Sequence, residues 1–256
     1  SEMCIRDRFR VEDANIAYET VKTALSVGYR HVDTAMIYGN EEAVGKAIRD
    51  SGIPREEIFL TTKLWNDDQR SGKVEEAIEA SLKRLGMDYV NLYLVHWPVK
   101  ETYVSVWKKM EAVYKSGKAK AIGVSNYQTH HLAGLLEEAE IIPAVNQIEC
   151  YPYLSQAATI QYCLERNIRP EAWGPLGAGK SDILTNPVIT EIAKKRGLTP
   201  AQVVLGWNLE RGVIVIPKSI HKERLTENLK CTDFELTDED MTRISALNKN
   251  LRLGAD

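Results

Sequence analysis

The stretch Gly28–Gly45, which reads GYRHVDTAMIYGNEEAVG, decides how the chain is organised. Residues 29–33 are predicted to form a short strand. A helix is predicted to begin at about Asn40, whose side-chain amide can cap the free N–H groups of the first turn. Asp33 lies where the strand ends, and Tyr38 lies in the loop beyond it. Because parallel α/β folds carry their chemistry at the carboxyl ends of the strands, this carboxylate and phenol indicate a site rather than a core.

The rest of the chain alternates helical and strand patterns, starting with a helix expected at residues 14–26. Buried parallel strands read as nearly continuous apolar runs, as VNLYLV at 90–95 and VIVI at 213–216 do. Repeated βα units of this kind predict an α/β protein with a (β/α)8 TIM barrel, and we expect one domain over residues 1–256. The expected strands are Tyr29–Asp33, Ile58–Lys63, Tyr89–His96, Ala119–Val124, Ala144–Ile148, Ile168–Trp173 and Val213–Ile216.

The first strand of the barrel is the difficult one, because a (β/α)8 barrel needs eight strands and the sequence offers seven clear ones. Its place falls on Ser1–Arg10, which has no clear period and no signal-peptide pattern, and we do not take these residues as native. Cys4-Ile5 and Phe9-Arg10-Val11 tolerate an extended conformation, whereas Asp7-Arg8 would place charges where a core expects apolar groups. We therefore expect an incomplete barrel whose first strand is missing or replaced.

Composition sets limits on partners and location. With 256 residues, 44% apolar and 27% charged, the chain has the composition of a soluble globular protein. A net charge of -3 argues against a nucleic-acid partner, and no apolar run approaches the ~20 residues that span a bilayer. The four cysteines have no paired spacing, so we expect no metal or disulfide framework and reduced thiols in a cytoplasmic protein. We also expect a monomer that binds a small carbonyl substrate and has no membrane partner.

Polar and aromatic side chains recur where the predicted strands end. Each has an ordinary explanation, since an aspartate after a strand is usually a turn residue and a histidine is often structural. Their common position at one rim is what indicates a site. The residues are Asp33, Lys63, His96, Ser125-Asn126, Gln147, Trp173 and Lys218.

From about Asp13 to Leu253 the sequence resembles the aldo-keto reductases. The matching segments are GYRHVDTAMIYGNE, TTKLWN, MDYVNLYLVHWP, AIGVSNY, VNQIE and IPKSIHKERLTEN, in the family's order. The sequence is most similar to the prokaryotic branch of 2,5-diketo-gluconate and glyoxal-type reductases. This resemblance implies NADPH-dependent reduction of aldehyde, dicarbonyl or keto-sugar carbonyls to alcohols by hydride transfer. It also implies a catalytic tetrad of Asp33, Tyr38, Lys63 and His96, with Tyr38 as proton donor.

The chemistry of this tetrad is intelligible in itself. Hydride transfer to a carbonyl leaves charge on oxygen, so an acid must deliver a proton. Free tyrosine titrates near pH ~10, and a nearby ammonium such as that of Lys63 favours the phenolate. Asp33 can hold the ammonium, and His96 can donate a hydrogen bond that orients the carbonyl.

Two tryptophans follow tetrad members directly in the sequence. Trp65 and Trp97 would wall an apolar substrate pocket, and core packing under a loop is an equally good interpretation.

The cofactor positions follow from the resemblance. No GxGxxG sequence opens a strand–helix unit, so a Rossmann site is not supported. The family instead places extended NADPH across the barrel rim, and two cations with a hydroxyl suit its 2′-phosphate. The alternative for the basic residues is a solvated helix start. The matching positions are Ser125, Asn126 and Gln147 for the carboxamide, Trp173 for stacking, Leu176, then Lys218, Ser219 and Arg224 for the 2′-phosphate, and Glu227 and Asn228 for the adenine.

Two other functions compete with this one. Residues 174–181 read GPLGAGKS, which matches the GxxxxGK[ST] pattern of a phosphate-binding loop. Such a loop continues directly into a long helix, whereas Asn186-Pro187 interrupts here, since proline disfavours helix in the residue before it. The other alternative is a barrel that binds NADPH as a sensor or partner subunit without turnover, and the intact tetrad argues against it.

Overall fold

A computed structural model describes the backbone of residues 4–6 together with residues 14–254. Its strands form one parallel sheet of eight in which the spatial order equals the order along the chain. A helix follows nearly every strand, so the (β/α)8 TIM-barrel prediction is confirmed. The strands are β1 Cys4–Arg6, β2 His31–Asp33, β3 Phe59–Leu64, β4 Val90–Val95, β5 Ala119–Ser125, β6 Val145–Glu149, β7 Arg169–Trp173 and β8 Ile214–Ile216.

The helices lie outside the sheet. The helix expected at residues 14–26 is observed at 14–27, and the helix expected to begin at about Asn40 begins at Glu41. Two short helices in the described part were not predicted, at 66–71 and at 238–245, and of the helix at 222–229 only a start beside the basic residues was expected. The first is polar throughout and shows no apolar period, whereas the second carries a capping-box signal that we missed. The helices are α1 Ala14–Val27, α2 Glu41–Asp50, α3 Asn66–Ser71, α4 Val74–Leu85, α5 Tyr103–Lys115, α6 Thr129–Leu136, α7 Ala157–Leu164, α8 Pro187–Arg196, α9 Pro200–Glu210, α10 Lys222–Leu229 and α11 Asp238–Ser245.

The first barrel position is filled by only a short segment, as expected. Strand β1 pairs in parallel with β2 over Cys4–His31, Ile5–Val32 and Arg6–Asp33. It also lies beside β8, but no backbone ladder joins β1 to β8 among the described residues. The barrel is therefore nearly closed, with one unsealed seam. Asp7-Arg8 and Phe9-Arg10-Val11, which also entered the prediction, lie outside the described residues.

The turn after β2 differs from the prediction in one detail. Asn40 does precede α2, but its side chain makes no capping hydrogen bond to that helix. Its Oδ1 instead accepts a hydrogen bond of 2.7 Å from the Thr34 hydroxyl. The reason is the tight return of the chain, which brings Thr34 within reach of the amide. This contact ties the end of β2 to the start of α2 and shapes the loop that carries Tyr38.

Polar side chains near the rim fill part of the barrel interior. His31 is buried, its Nε2 lies 3.0 Å from Thr61 Oγ1, and its ring packs edge-on against Phe59. Burial lowers the pKa of His31 from 6.5 to about 4, against the opposing effect of Asp33. His31 is therefore neutral at neutral pH.

This buried histidine makes the stability pH-dependent. Between about pH 6.5 and 4 the unfolded chain binds a proton at His31 that the folded chain does not, so stability is lost as pH falls through that window. The full difference corresponds to roughly 3 kcal/mol. We expect His31→Gln, compared with the exposed His130→Gln as control, to reduce the loss of unfolding free energy between pH ~7 and ~5 in urea titrations. An equal loss in wild type and His31→Gln would contradict this assignment.

Candidate active site

A buried ion pair lies at the centre of the rim. Lys63 Nζ is 2.6 Å from Asp33 Oδ1 and donates a second hydrogen bond of 2.9 Å to the Thr34 carbonyl. Both charged side chains are completely buried. The two residues face inward from neighbouring parallel strands, β2 and β3, whose pairing places Asp33 opposite Thr61. Because an unpaired buried charge is very unfavourable, the pairing fixes the position of the ammonium.

Tyr38 and His96 lie against this pair. Tyr38 belongs to a 3-10 turn, Met36–Tyr38, which ends at Gly39 in the left-handed conformation with φ 67°. Lys63 Nζ lies 5.3 Å from the centre of the Tyr38 ring. The Tyr38 and His96 rings meet edge to face with centroids 5.8 Å apart, and His96 is 6% exposed. The fold therefore brings all four predicted tetrad residues together.

The two tryptophans of the predicted pocket differ from each other in their ring contacts with the tetrad. The ring of Trp65 meets the ring of His96 edge to face, with centroids 5.2 Å apart, and is only partly buried. Trp97 is also half-buried, and its carbonyl accepts a hydrogen bond of 3.1 Å from the Gln69 side chain. Within residues 14–254 no ring contact joins Trp97 to the tetrad. Trp65 is thus the better placed of the two to contact a molecule beside His96.

Asn126 connects the tetrad to Trp173. Its Oδ1 accepts a hydrogen bond of 2.7 Å from the Trp173 indole, and its Nδ2 donates one of 3.0 Å to the His96 carbonyl. Asn126 has φ 64°, in the left-handed region that asparagine tolerates better than most residues. The hydroxyl of Ser125 donates a hydrogen bond of 2.8 Å to the Gln147 carbonyl. These contacts set the orientation of the half-buried indole.

Gln147 points into the barrel. Its Nε2 donates to Asp33 Oδ2 at 2.8 Å and to Glu171 Oε1 at 2.5 Å, while its Oε1 is buried without a hydrogen-bond partner among the described residues. Glu171 is a buried residue that our sequence reasoning missed. Glu171 lies two residues before Trp173 on the same strand, so both side chains face the same side of the sheet, and this spacing could have identified it. A hydrogen-bonded chain thus runs from Glu171 through Gln147 and Asp33 to Lys63.

The basic residues predicted for a phosphate lie after β8, at the start of α10. Lys218 and Arg224 are exposed, whereas Ser219 is nearly buried. The Ser219 hydroxyl accepts a hydrogen bond of 3.1 Å from the His221 backbone N–H just before the helix. Two cations therefore face solvent beside a hydroxyl that is already ordered.

The remaining predicted cofactor residues are held by neighbouring elements. Glu227 Oε1 accepts a hydrogen bond of 2.6 Å from the Thr199 hydroxyl, which fastens α10 to the start of α9. Asn228 is buried, and its Oδ1 lacks a hydrogen-bond partner within the described part of the chain. Leu176, after β7, is half-buried and packs against the apolar core.

The phosphate-loop alternative does not agree with the geometry. Residues 174–181 contain only a short 3-10 turn, Gly177–Gly179, and no helix continues from it. The next helix, α8, begins at Pro187 and is capped by Asn186, whose side chain accepts from the Val188 N–H at 2.9 Å. Lys180 Nζ donates to the Leu253 carbonyl at 3.2 Å. The loop therefore lacks the helix N-terminus that holds a triphosphate.

Over the residues that the structure describes, no three or more His, Cys, Asp or Glu side chains are grouped so as to hold a metal ion. In the same residues, no helix has both the length and the apolar character needed to cross a membrane.

Comparisons with known proteins identify the family over nearly the whole chain. The model of the aldo/keto reductase family matches residues 9–249. Glyoxal reductase of Bacillus subtilis (strain 168) is 51% identical over 246 residues, covering 96% of this chain and 88% of that protein. Methylglyoxal reductase DkgA of Salmonella typhimurium (strain LT2) is 45% identical over 238 residues, with 92% and 86% covered.

The fold of the chain also matches that of a solved structure. The crystal structure of MGS-M4, an aldo-keto reductase enzyme from a Medee basin deep-sea metagenome library, superposes with a TM-score of 0.96 at 46% identity. It covers 100% of this chain and 94% of that one. Family match, sequence identity and fold coincide over nearly the whole chain. The protein therefore belongs to the aldo/keto reductase family and is an oxidoreductase that acts on carbonyl groups.

Proposed function

We propose that the protein reduces small aldehydes, dicarbonyls or keto-sugar acids to alcohols with NADPH, and that Tyr38 is the proton donor. The observation that carries the proposal is the buried Asp33–Lys63 pair beneath Tyr38, with His96 against the same ring. The relatives named glyoxal reductase and methylglyoxal reductase support small dicarbonyls as the first substrates to test.

The residues of the site divide the chemistry among them. When bound, a reduced nicotinamide supplies the hydride. Asp33 and the Thr34 carbonyl hold Lys63 Nζ in place, and this fixed positive charge stabilises the phenolate that Tyr38 becomes. The Tyr38 hydroxyl gives its proton to the carbonyl oxygen, which becomes the hydroxyl of the alcohol. Because Tyr38 is partly exposed, water can return the proton afterwards.

His96 is suited to orient the substrate. It lies between Tyr38 and Trp65, touching both rings edge to face, and its backbone is fixed by Asn126. A ring nitrogen can donate a hydrogen bond to the carbonyl oxygen that accepts the proton. Trp65 then provides an apolar wall for the rest of a small substrate, with Trp97 proposed as a second wall.

The residues present fit a nicotinamide adenine dinucleotide phosphate. Gln147 Oε1 and Asn228 Oδ1 are both buried acceptors without a partner among the described residues, and they lie at the positions proposed for the two ends of the cofactor. The carboxamide and the adenine amine each offer the N–H that such an acceptor requires. Lys218, Ser219 and Arg224 would bind the 2′-phosphate, which favours NADPH over NADH.

We propose a reducing compartment such as the cytoplasm, where the buried thiols of Cys150, Cys163 and Cys231 would stay reduced. We also propose a monomer without nucleic-acid or membrane partners, consistent with a net charge of -3. Light scattering of the purified protein would test the monomer.

Turnover tests the proposed function. NADPH consumption should be followed with glyoxal, methylglyoxal, a keto-sugar acid and a simple aldehyde, and the alcohol products identified. We expect turnover with at least one dicarbonyl and a higher kcat/KM with NADPH than with NADH. Tight NADPH binding without reduction of any member of the panel would instead favour the sensor or partner-subunit alternative.

A further inference from the structure

The chain returns to the rim after its last helix. Residues 249–254, here called the C-terminal segment, run alongside the turn after β6 that contains Tyr151 and Tyr153. The backbone N–H groups of Lys249 and Leu251 both donate hydrogen bonds of 3.0 Å to the Tyr153 carbonyl. The Tyr151 hydroxyl donates one of 2.9 Å to the Leu251 carbonyl. These bonds lead the segment toward the carboxyl ends of β6 and β7.

Glu149 fastens the end of this segment. It is the last residue of β6 and is 1% exposed. Its Oε1 accepts a hydrogen bond of 2.8 Å from the Leu253 N–H, and its Oε2 accepts one of 3.0 Å from the Gly254 N–H. Lys180 Nζ donates to the Leu253 carbonyl at 3.2 Å. A buried carboxylate thus binds two consecutive peptide N–H groups, and charge-assisted bonds of this kind are the strong ones.

The segment ends against Trp173. Glu149 and Trp173 are register partners on neighbouring strands, so the carboxylate and the indole lie side by side. A Cβ atom at position 254 would overlap with Cη2 of the Trp173 ring and lie 3.1 Å from its Cζ2. Only glycine allows the backbone to pass so close. The indole is therefore held at both ends, by Asn126 at its Nε1 and by Gly254 at its benzene edge.

We propose that Glu149 is a positioning residue for the reaction. By binding the Leu253 and Gly254 N–H groups, it presses the C-terminal segment against Trp173 and fixes the plane of the indole on which the nicotinamide ring is proposed to stack. This inference rests on the proposed function. Without the carboxylate, two backbone donors lose their partner and the segment leaves the ring, so that the indole can turn.

The test variant is Glu149→Gln, because the amide keeps the volume but offers one acceptor in place of two. Glu111 provides a matched control far from the rim. It is 2% exposed, and its Oε1 accepts hydrogen bonds of 2.8 and 3.0 Å from the backbone N–H groups of Glu140 and Ile141, which precede β6 at the opposite end of the barrel. Glu111→Gln therefore removes the charge of a buried carboxylate that binds two backbone N–H groups, and it does so without touching the C-terminal segment.

The first readout needs no cofactor. Near-ultraviolet circular dichroism and hydrogen exchange of the amides at 251–254 are measured on the free protein. We expect Glu149→Gln to change the indole signal and to speed exchange in the C-terminal segment, and Glu111→Gln to do neither. The spectral change should vanish in a Trp173→Phe background. An unchanged spectrum and exchange in Glu149→Gln, or equal changes in Glu111→Gln, would overturn the positioning role.

The second readout is functional. We expect Glu149→Gln to raise the Kd for NADPH and lower kcat/KM by about tenfold, with Glu111→Gln near wild type. Wild-type protein that fails to bind NADPH would overturn the proposed function, whereas normal affinity in Glu149→Gln would overturn only the positioning role.

A second variant covers the case in which Glu149→Gln does not fold. Gly254→Ala leaves the barrel strands untouched and places a Cβ against Trp173. Gly254→Ala should also change the indole signal, raise the Kd for NADPH and lower kcat/KM. A wild-type spectrum together with wild-type NADPH affinity in Gly254→Ala would contradict the proposal even where Glu149→Gln does not fold.

Discussion

Replacing Tyr38 with phenylalanine should lower kcat for methylglyoxal reduction by about 10²–10⁴-fold, the range expected for loss of a general acid. The Kd for NADPH should change little, because the hydroxyl acts in the transition state and not in cofactor binding. The phenyl ring can keep its edge contact with His96 and its position near Lys63. Steady-state kinetics and fluorescence titration of NADPH separate the two effects.

A matched substitution makes this result specific. Tyr103 is half-buried on α5, where its ring contacts Tyr127 and His131 away from the tetrad. Tyr103→Phe should keep wild-type turnover. If Tyr38→Phe kept full activity as well, another group would be the proton donor. The Asp33–Lys63 pair would then have no Tyr38 phenolate to stabilise.

Arg224→Ala should weaken NADPH binding by roughly 10- to 100-fold and leave NADH binding nearly unchanged, since one hydrogen bond to a charged group is worth about 1.5–3 kcal/mol. Arg224 is exposed on α10, a short distance along the chain from Lys218 and Ser219. Its guanidinium has the planar, bidentate geometry that suits a phosphate. The 2′-phosphate is the only group that distinguishes the two cofactors, so the ratio of their Kd values isolates this contact.

The control for this experiment is Lys222→Ala, which removes an exposed cation from the first turn of the same helix. General attraction of an anion to α10 would make Lys222→Ala and Arg224→Ala similar, and both effects would fade with added salt. A selective loss in Arg224→Ala supports a specific phosphate contact. Equal weakening of NADPH and NADH binding in Arg224→Ala would remove the structural argument for NADPH.

Much of the fold could be predicted because local patterns and tertiary structure agree. Apolar runs such as 90–95 are typical of a parallel sheet covered by helices, and α4 and α8 end at Gly86 and Gly197 in the left-handed conformation that glycine favours. The short helix α3 could not be predicted in this way, since NDDQRS has no apolar face. Its position depends on the preceding strand and on Gln69, which is buried although polar.

The site was predictable only in part. Strand ends identified Asp33, Lys63 and His96, because residues at the carboxyl ends of parallel strands must meet at one rim. Glu149 and Glu171 were missed, since a buried carboxylate reveals its role only through partners distant in sequence: the Leu253 N–H for Glu149 and the Gln147 amide for Glu171. The prediction that Asn40 caps α2 was wrong for a different reason, because the turn of the chain brings the Thr34 hydroxyl, six residues away, to the Asn40 amide oxygen.

Transfer of deuterium to methylglyoxal from NADPH that carries deuterium in both positions at C4 of the dihydronicotinamide tests the central claim most directly. The labelled cofactor is incubated with the protein and the substrate, and the alcohol is examined by mass spectrometry and NMR. We predict that the new C–H bond at the former carbonyl carbon carries the label and that Tyr38→Phe forms this product far more slowly. An unlabelled alcohol, or no alcohol from any dicarbonyl while the protein binds NADPH, would contradict direct carbonyl reduction at this site.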